Sequence, residues 1–165
     1  MRYATATVSF TRPADTTQYG LADAISDATT TATAATFAIP GMASVNGGFG
    51  RIHSLTLHKS DQDLTGADFD VAFFTGQPVA TGFDDNAALA ITDTEWKQCV
   101  GVVPLTAAAN GASVANGDLF CARNVNLVYK CETSVRSLYF VVVARGTYTP
   151  ASAEVFTLTV GYEMA

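Results

Sequence analysis

Charged side chains are scarce in this chain. They make up 15% of its 165 residues, against about 25% in an ordinary soluble domain, while 48% of the residues are hydrophobic. A protein that stays monomeric normally keeps a charged, patch-free exterior, so this deficit implies that part of the outside is hidden in stable contacts with other protein. Basic residues are the scarcer sign: 9 Lys and Arg stand against 15 Asp and Glu, for a net charge of −6, and the cations are scattered. Affinity for nucleic acid rests on neutralising phosphates with clustered cations, so no nucleic-acid partner is expected. Long apolar runs are also missing. The longest, Leu138 to Ala144, falls far short of the ~20 residues that cross a bilayer, and it reads as a buried strand instead of a membrane span. The opening residues, Met1-Arg2-Tyr3-Ala4-Thr5, lack the apolar core and cleavage site of a secretory signal, so no export is expected.

The residues of common site chemistry are few and badly spaced for it. Cys99, Cys121 and Cys131 form no C-x-x-C element and read as reduced structural thiols. A Cys121–Cys131 hairpin bridge is conceivable, but a reducing cytoplasm argues against it. His53 and His58 are the only histidines. Five residues apart on one strand, they are expected on opposite faces of a sheet, unable to share a metal or a nucleophile. No G-x-S-x-G elbow is present. Asp61-Gln62-Asp63-Leu64-Thr65-Gly66 opens like a calcium loop, yet its twelfth place is Ala72 where a bidentate Glu is needed. Asn46-Gly47-Gly48-Phe49-Gly50 lacks the lysine and following helix of a phosphate loop and reads as a mobile surface loop. Four acids, Asp84, Asp85, Asp93 and Glu95, could form a glycosidase pair, but turn and helix-start chemistry explains most of them. Trp96, the single tryptophan, reads as core. Neither a cofactor, a metal nor an enzymatic activity is expected.

What the chain does have is period-two alternation from end to end, the mark of half-buried antiparallel strands. Ala4, Ala6, Val8 and Phe10 share one face of the first run; Tyr3, Thr5, Thr7 and Ser9 share the other. Pro13 then breaks pairing. Further strands are expected at Leu21–Ile25, Thr33–Ile39, Arg51–His58, Phe69–Thr75, Val100–Leu105, Asp118–Ala122, Val125–Cys131, Leu138–Ala144 and Val155–Glu163, each bounded by turn formers. Asn46-Gly47, Asn110-Gly111 and Asn116-Gly117 offer tight turns. Thr92 or Asp93 caps a helical turn reaching Gln98. The Thr- and Ala-rich stretch Asp27–Thr36 fits either a linker or an extended edge segment. Many short strands without intervening helices describe an all-β fold: a jelly-roll-like antiparallel β-sandwich with at most one short helix, one domain over residues 1–165, with a barrel as the other option.

The segment Phe10-Thr11-Arg12-Pro13-Ala14-Asp15-Thr16-Thr17-Gln18-Tyr19, running on to Ile25, resembles an element near the N-terminus of small virion proteins of tailed bacteriophages. Phe140–Ala144 and Tyr148–Leu158 resemble their closing hairpin, and Gly50–Leu57 and Phe69–Phe74 occupy the strand positions between. The resemblance implies a capsid decoration (cement) protein: a non-catalytic homotrimer bound to the major capsid protein on the virion surface. Its alternative is a tail-associated or glycan-binding module of the same particle. Arg12, Tyr19, Met42 and Phe49 are the candidate interface residues, since apolar side chains in turns have little reason to face water. An alternative leaves the same turns folded back to cap the ends of the sandwich.

Overall fold

In a computed structural model, residues 2–29, 37–78 and 83–165 are described. Alternation sets the first sheet. Strand β1 (Arg2–Thr11) pairs antiparallel with β10 (Val155–Met164) over ten consecutive residue pairs. Both point their apolar set inward: Val8 and Phe10 from one, Phe156, Leu158 and Val160 from the other. Next come β4 (Phe49–Lys59), β8 (Gly117–Lys130) and a short hairpin edge, β7 (Gly111–Val114), giving the order β1-β10-β4-β8-β7.

The second sheet has the order β2-β9-β5-β6, made of Ala24–Ile25, Leu138–Ala144, Phe69–Phe74 and Cys99–Leu105. A further piece, β3 (Phe37–Ile39), pairs with β9 at Leu138–Phe140, beside the place where β2 pairs at Val142–Val143. These two pieces act as one broken strand. Counted that way, and with β7 set aside, the first, eighth, third and sixth strands form one sheet and the second, seventh, fourth and fifth form the other. That interleaving is the double Greek key of a jelly roll, so the expected jelly-roll-like sandwich is the fold observed.

The runs Phe69–Phe74 and Leu138–Ala144 are apolar without alternation because both of their faces are covered. Phe69, Val71 and Phe73 enter the central core with Phe140 and Val142. On the far side, Ala72, Phe74, Val141 and Val143 make a second, smaller core under the segment bearing Phe83, Leu89 and Ile91. Helix α1 (Asp93–Trp96) closes that cover. Its Thr92 side chain accepts from the Glu95 amide, and the Glu95 carboxylate accepts from the Thr92 amide at 2.9 Å, which is a capping box. Thr92→Ala is expected to cost about 1 kcal/mol, read as a lower midpoint in chemical unfolding, with the first-sheet core unaffected. Trp96 is not core. It lies 42% exposed against Phe74.

The expected single helix has a companion, α2 (Ala107–Asn110), capped by Thr106. Three alanines in a row favour helix more than loop. Asn110-Gly111 is therefore a helix end leading into β7, with Gly111 at φ −84°, and not a tight turn. Asn116-Gly117 does turn a hairpin, and Gly117 takes positive φ there. The two runs expected at Asp118–Ala122 and Val125–Cys131 are one strand, β8, broken in appearance by Asn124 and Asn126 at positive φ. Leu21–Ile25 shrinks to Ala24–Ile25. The start of the Thr33–Ile39 strand and most of the Asp27–Thr36 stretch lie outside the described residues.

Candidate functional site

The outer side of the second sheet is covered over β5 and β9, whereas the outer face of the first sheet is open. Its centre is a hydroxyl ladder: Thr7 and Thr159 bridge at 3.0 Å, Ser9 and Thr157 at 2.8 Å. One end is apolar. The register places Tyr3 beside Glu163, Glu163 beside Arg51 and Arg51 beside Val128 in a single row across four strands. Tyr3 is 70% exposed and Val128 65%, and between them Arg51 and Glu163 neutralise each other as an ion pair. Phe49, 54% exposed, continues the patch with the Lys130 ammonium 5.3 Å above its ring. A shallow groove lined by Phe49, Arg51, Val128 and Met164 joins these side chains. Large exposed apolar groups around a neutralised pair are the make-up of a protein interface core.

The edge of this sheet is equally open. β1 forms one border, and its ten residues contain no Lys, Pro or Gly and no bulge against β10. Those are the devices that normally keep an edge strand from pairing with another chain. The border strand β6 of the second sheet, by contrast, carries Pro104.

Of the four candidate interface residues, the structure places Phe49 on this face and turns the other three inward. Arg12, Tyr19 and Met42 are buried within the subunit, as in the fold-back alternative. Arg12 is wholly enclosed: its Nε donates to the Tyr19 hydroxyl at 2.8 Å, Nη1 to the Asp15 carbonyl at 2.6 Å, and Nη2 to Asp85 at 2.9 Å. Asp85 also accepts from the Tyr19 hydroxyl and from the Ser26 amide. A buried guanidinium needs every donor satisfied, which is why the Arg12–Tyr19 turn folds back. Met42 sits under Tyr129, whose hydroxyl donates to the Met42 carbonyl at 2.5 Å. Backbone hydrogen bonds tie down the loop after it: the Gly47 and Cys131 amides donate to the Val135 and Gly48 carbonyls.

No protein-family model matches the chain, and no curated protein matches it. Among solved structures it is similar to the VP2 subviral particle of infectious bursal disease virus, at 15% identity and a TM-score of 0.37, over 99% of this chain and 38% of that one. A second similarity is to the structure of Triatoma virus, at 13% identity and a TM-score of 0.27, over 99% of this chain and 66% of that one. Scores this low carry no functional weight; the strand order above defines the fold.

A β-bulge changes the expectation for the histidines. The β4 register shifts between Ile52 and Ser54, so Ile52, Leu55, Leu57 and Lys59 point inward while both histidines take the outer side. His53 packs edge-on against Tyr3. About five residues of strand, ~16 Å, still separate the two rings. The groove holding Tyr3 and His53 also contains Asn124 and Asn126, and Phe49 is the other exposed aromatic of this face. All three cysteines are free. Asp63 closes its own turn by accepting from the Thr65 amide, and among the described residues no three His, Cys, Asp or Glu side chains converge as a metal set.

Three of the four candidate acids are held apart. Asp93 is exposed on the first turn of α1, Glu95 is taken up in the capping box, and Asp85 is sealed with Arg12. A second sealed cluster escaped sequence reading: Lys59, Asp118 and Glu154, each with a side chain at 0% exposure. Burial raises the carboxyl pKa of Asp85, with the Tyr19 hydroxyl, Ser26 amide and Arg12 pulling against the rise. Burial likewise raises Glu154, opposed by the Tyr148 hydroxyl and Lys59. A carboxyl raised in the folded state holds a proton that the unfolded chain has already lost, so stability is full below the unfolded pKa and falls as pH climbs through the folded one. Asp15 and Asp63, lowered by the amides of Thr17 and Thr65, act in the opposite sense, but below the ordinary carboxylate range. The thermal midpoint is expected to rise as pH is taken from about 7 toward about 5. A calorimetric series with a flat or falling midpoint over that window contradicts this assignment.

Proposed function

We propose that this chain is a structural protein of a virus particle: a decoration subunit of a tailed-phage head that binds the outside of the capsid lattice, as a homotrimer, and stabilises it without catalysing a reaction. The observation that carries this reading is the asymmetry of the sandwich. One sheet has the outer side of its central strands β5 and β9 covered, while the other leaves an exposed apolar row and an unprotected ten-residue edge. A jelly roll built so has a surface prepared for other protein. The open face also carries Arg51, Arg123 and Lys130 against the single acid Glu163, in a chain whose net charge is −6. That local cationic excess favours an acidic neighbour, including the remainder of a second copy.

The mechanism is mass action. A subunit that binds only the assembled, expanded shell stabilises that state by its own binding free energy, and many modest contacts add over the lattice. The major capsid protein supplies the binding geometry, and the subunit ends on the virion surface after assembly in the host cytoplasm. Light scattering should give a discrete oligomer, and the purified protein should be taken up saturably by undecorated, expanded capsids. Uptake by tails or host cells alone would overturn this placement.

A further inference from the structure

Lys59 ends β4 and lies directly across from Asp118 at the start of β8. Its ammonium Nζ is 2.9 Å from Asp118 Oδ2 and 3.5 Å from Glu154 Oε1, and none of the three side chains reaches solvent. The Tyr148 ring lies 5.1 Å from Nζ; Phe69 packs edge-on against that tyrosine, and Phe120 and Phe156 pack edge-on against Phe69. Each reacting group is oriented. Nζ donates to the Asp61 carbonyl at 2.8 Å, and Asp118 Oδ1 accepts from the Ser113 hydroxyl at 2.6 Å. Glu154 is fixed by the Tyr148 hydroxyl and by the Asp61 amide. Asp118 Oδ2 lies 2.9 Å from the ammonium and has no other hydrogen-bond partner.

As a plain salt bridge this is a poor arrangement. One cation and two acids are enclosed, which leaves an excess negative charge in a dry aromatic site unless a proton is retained. A proton passed from Lys59 to Asp118 would leave a neutral amine against a neutral carboxylic acid, with the remaining negative charge on Glu154, the group placed to accept a proton. Fixed neighbours of this kind react with very high effective concentration, and a site closed to water protects the product from hydrolysis.

We propose that Lys59 and Asp118 condense into an intramolecular amide bond, with Glu154 as the proton carrier. The Nζ lone pair attacks Asp118 Cγ, forming the C–N bond. Glu154 takes a proton from Nζ and returns it to the departing Asp118 oxygen; the C–O bond breaks and one water leaves. No oxidant or cofactor enters, since amine and acid give amide and water. Asp118 and not Glu154 is the partner, because it is the nearer acid and Glu154 is held by Tyr148. The product is a covalent rung between β4 and β8, suited to a subunit that must resist force.

The test is the intact mass of the full-length protein under denaturing conditions, followed by peptide mapping. The expected mass is one water below that of the sequence, with a branched peptide joining the fragments that hold Lys59 and Asp118. Lys59→Ala and Asp118→Ala each return the full mass. Glu154→Gln, which keeps the hydrogen bond from Tyr148, is expected to fold, as judged by circular dichroism, and to return the full mass. A wild-type chain of full mass overturns the proposal, and this readout does not depend on any variant folding. A dehydrated linear peptide overturns it too, and a Glu154→Gln chain that still carries the bond removes Glu154 from the reaction.

Discussion

Asp85→Ala is expected to lose about 3–5 kcal/mol of folding stability, the loss typical when one partner of a buried ion pair is removed. The reason lies in what remains. Arg12 keeps its charge at any pH a protein tolerates, and its side chain has no exposure. Without Asp85 it retains the Tyr19 hydroxyl and the carbonyls of Asp15 and Ala151, together with a half-exposed carboxylate on Asp15. The Tyr19 hydroxyl and Ser26 amide also lose their acceptor. A loss this large separates the pair from a surface salt bridge, for which about 0–1 kcal/mol is usual. Urea unfolding supplies the measurement, with the companion pair Arg12→Met and Asp85→Leu in one chain. That double variant buries no charge and is expected to recover most of the loss, short of wild type by the Tyr19 hydroxyl and Ser26 amide left without an acceptor. A single-variant loss under about 1 kcal/mol would mean that the cluster is hydrated and that Arg12 is not held as described.

The same cluster marks the limit of sequence reading. Strand alternation is a local signal: β1 and β10 show their inward sets residue by residue, and the observed faces follow them. Turn chemistry is local too, as Thr92 and Glu95 illustrate. Arg12 and Asp85, however, are 73 positions apart, and Lys59 and Asp118 meet through strand register. Nothing in the spacing of those residues announces a partner. Arg12 and Tyr19 stand in a turn, where alternation is silent, and both find their partners inside the subunit. A bulge had a similar effect at His53, where one register shift moved a side chain to the other face. The open outer face was legible only in part. Tyr3 could be placed on the polar side of β1 from alternation alone, but its alignment with Val128 and Phe49 required the strand order β1-β10-β4-β8.

That alignment leads to the second large effect. If the row across the first sheet is the contact surface, its centre should behave as interface hot spots do, with aromatic anchors dominating. Phe49→Ala is expected to weaken uptake by expanded capsids about 30-fold, equivalent to about 2 kcal/mol. Val128→Glu should weaken it further, because it buries a second carboxylate against Arg51, whose charge Glu163 already neutralises. Neither change touches the core: both side chains are more than half exposed in the isolated subunit, so the unfolding midpoint should stay within about 0.5 kcal/mol of wild type. The joint measurement decides the matter. Reduced uptake with unchanged stability assigns the face to the contact. Unchanged uptake in both variants would leave the jelly roll intact and move the contact off the first sheet, and loss of stability would mean that Phe49 and Val128 support the fold itself.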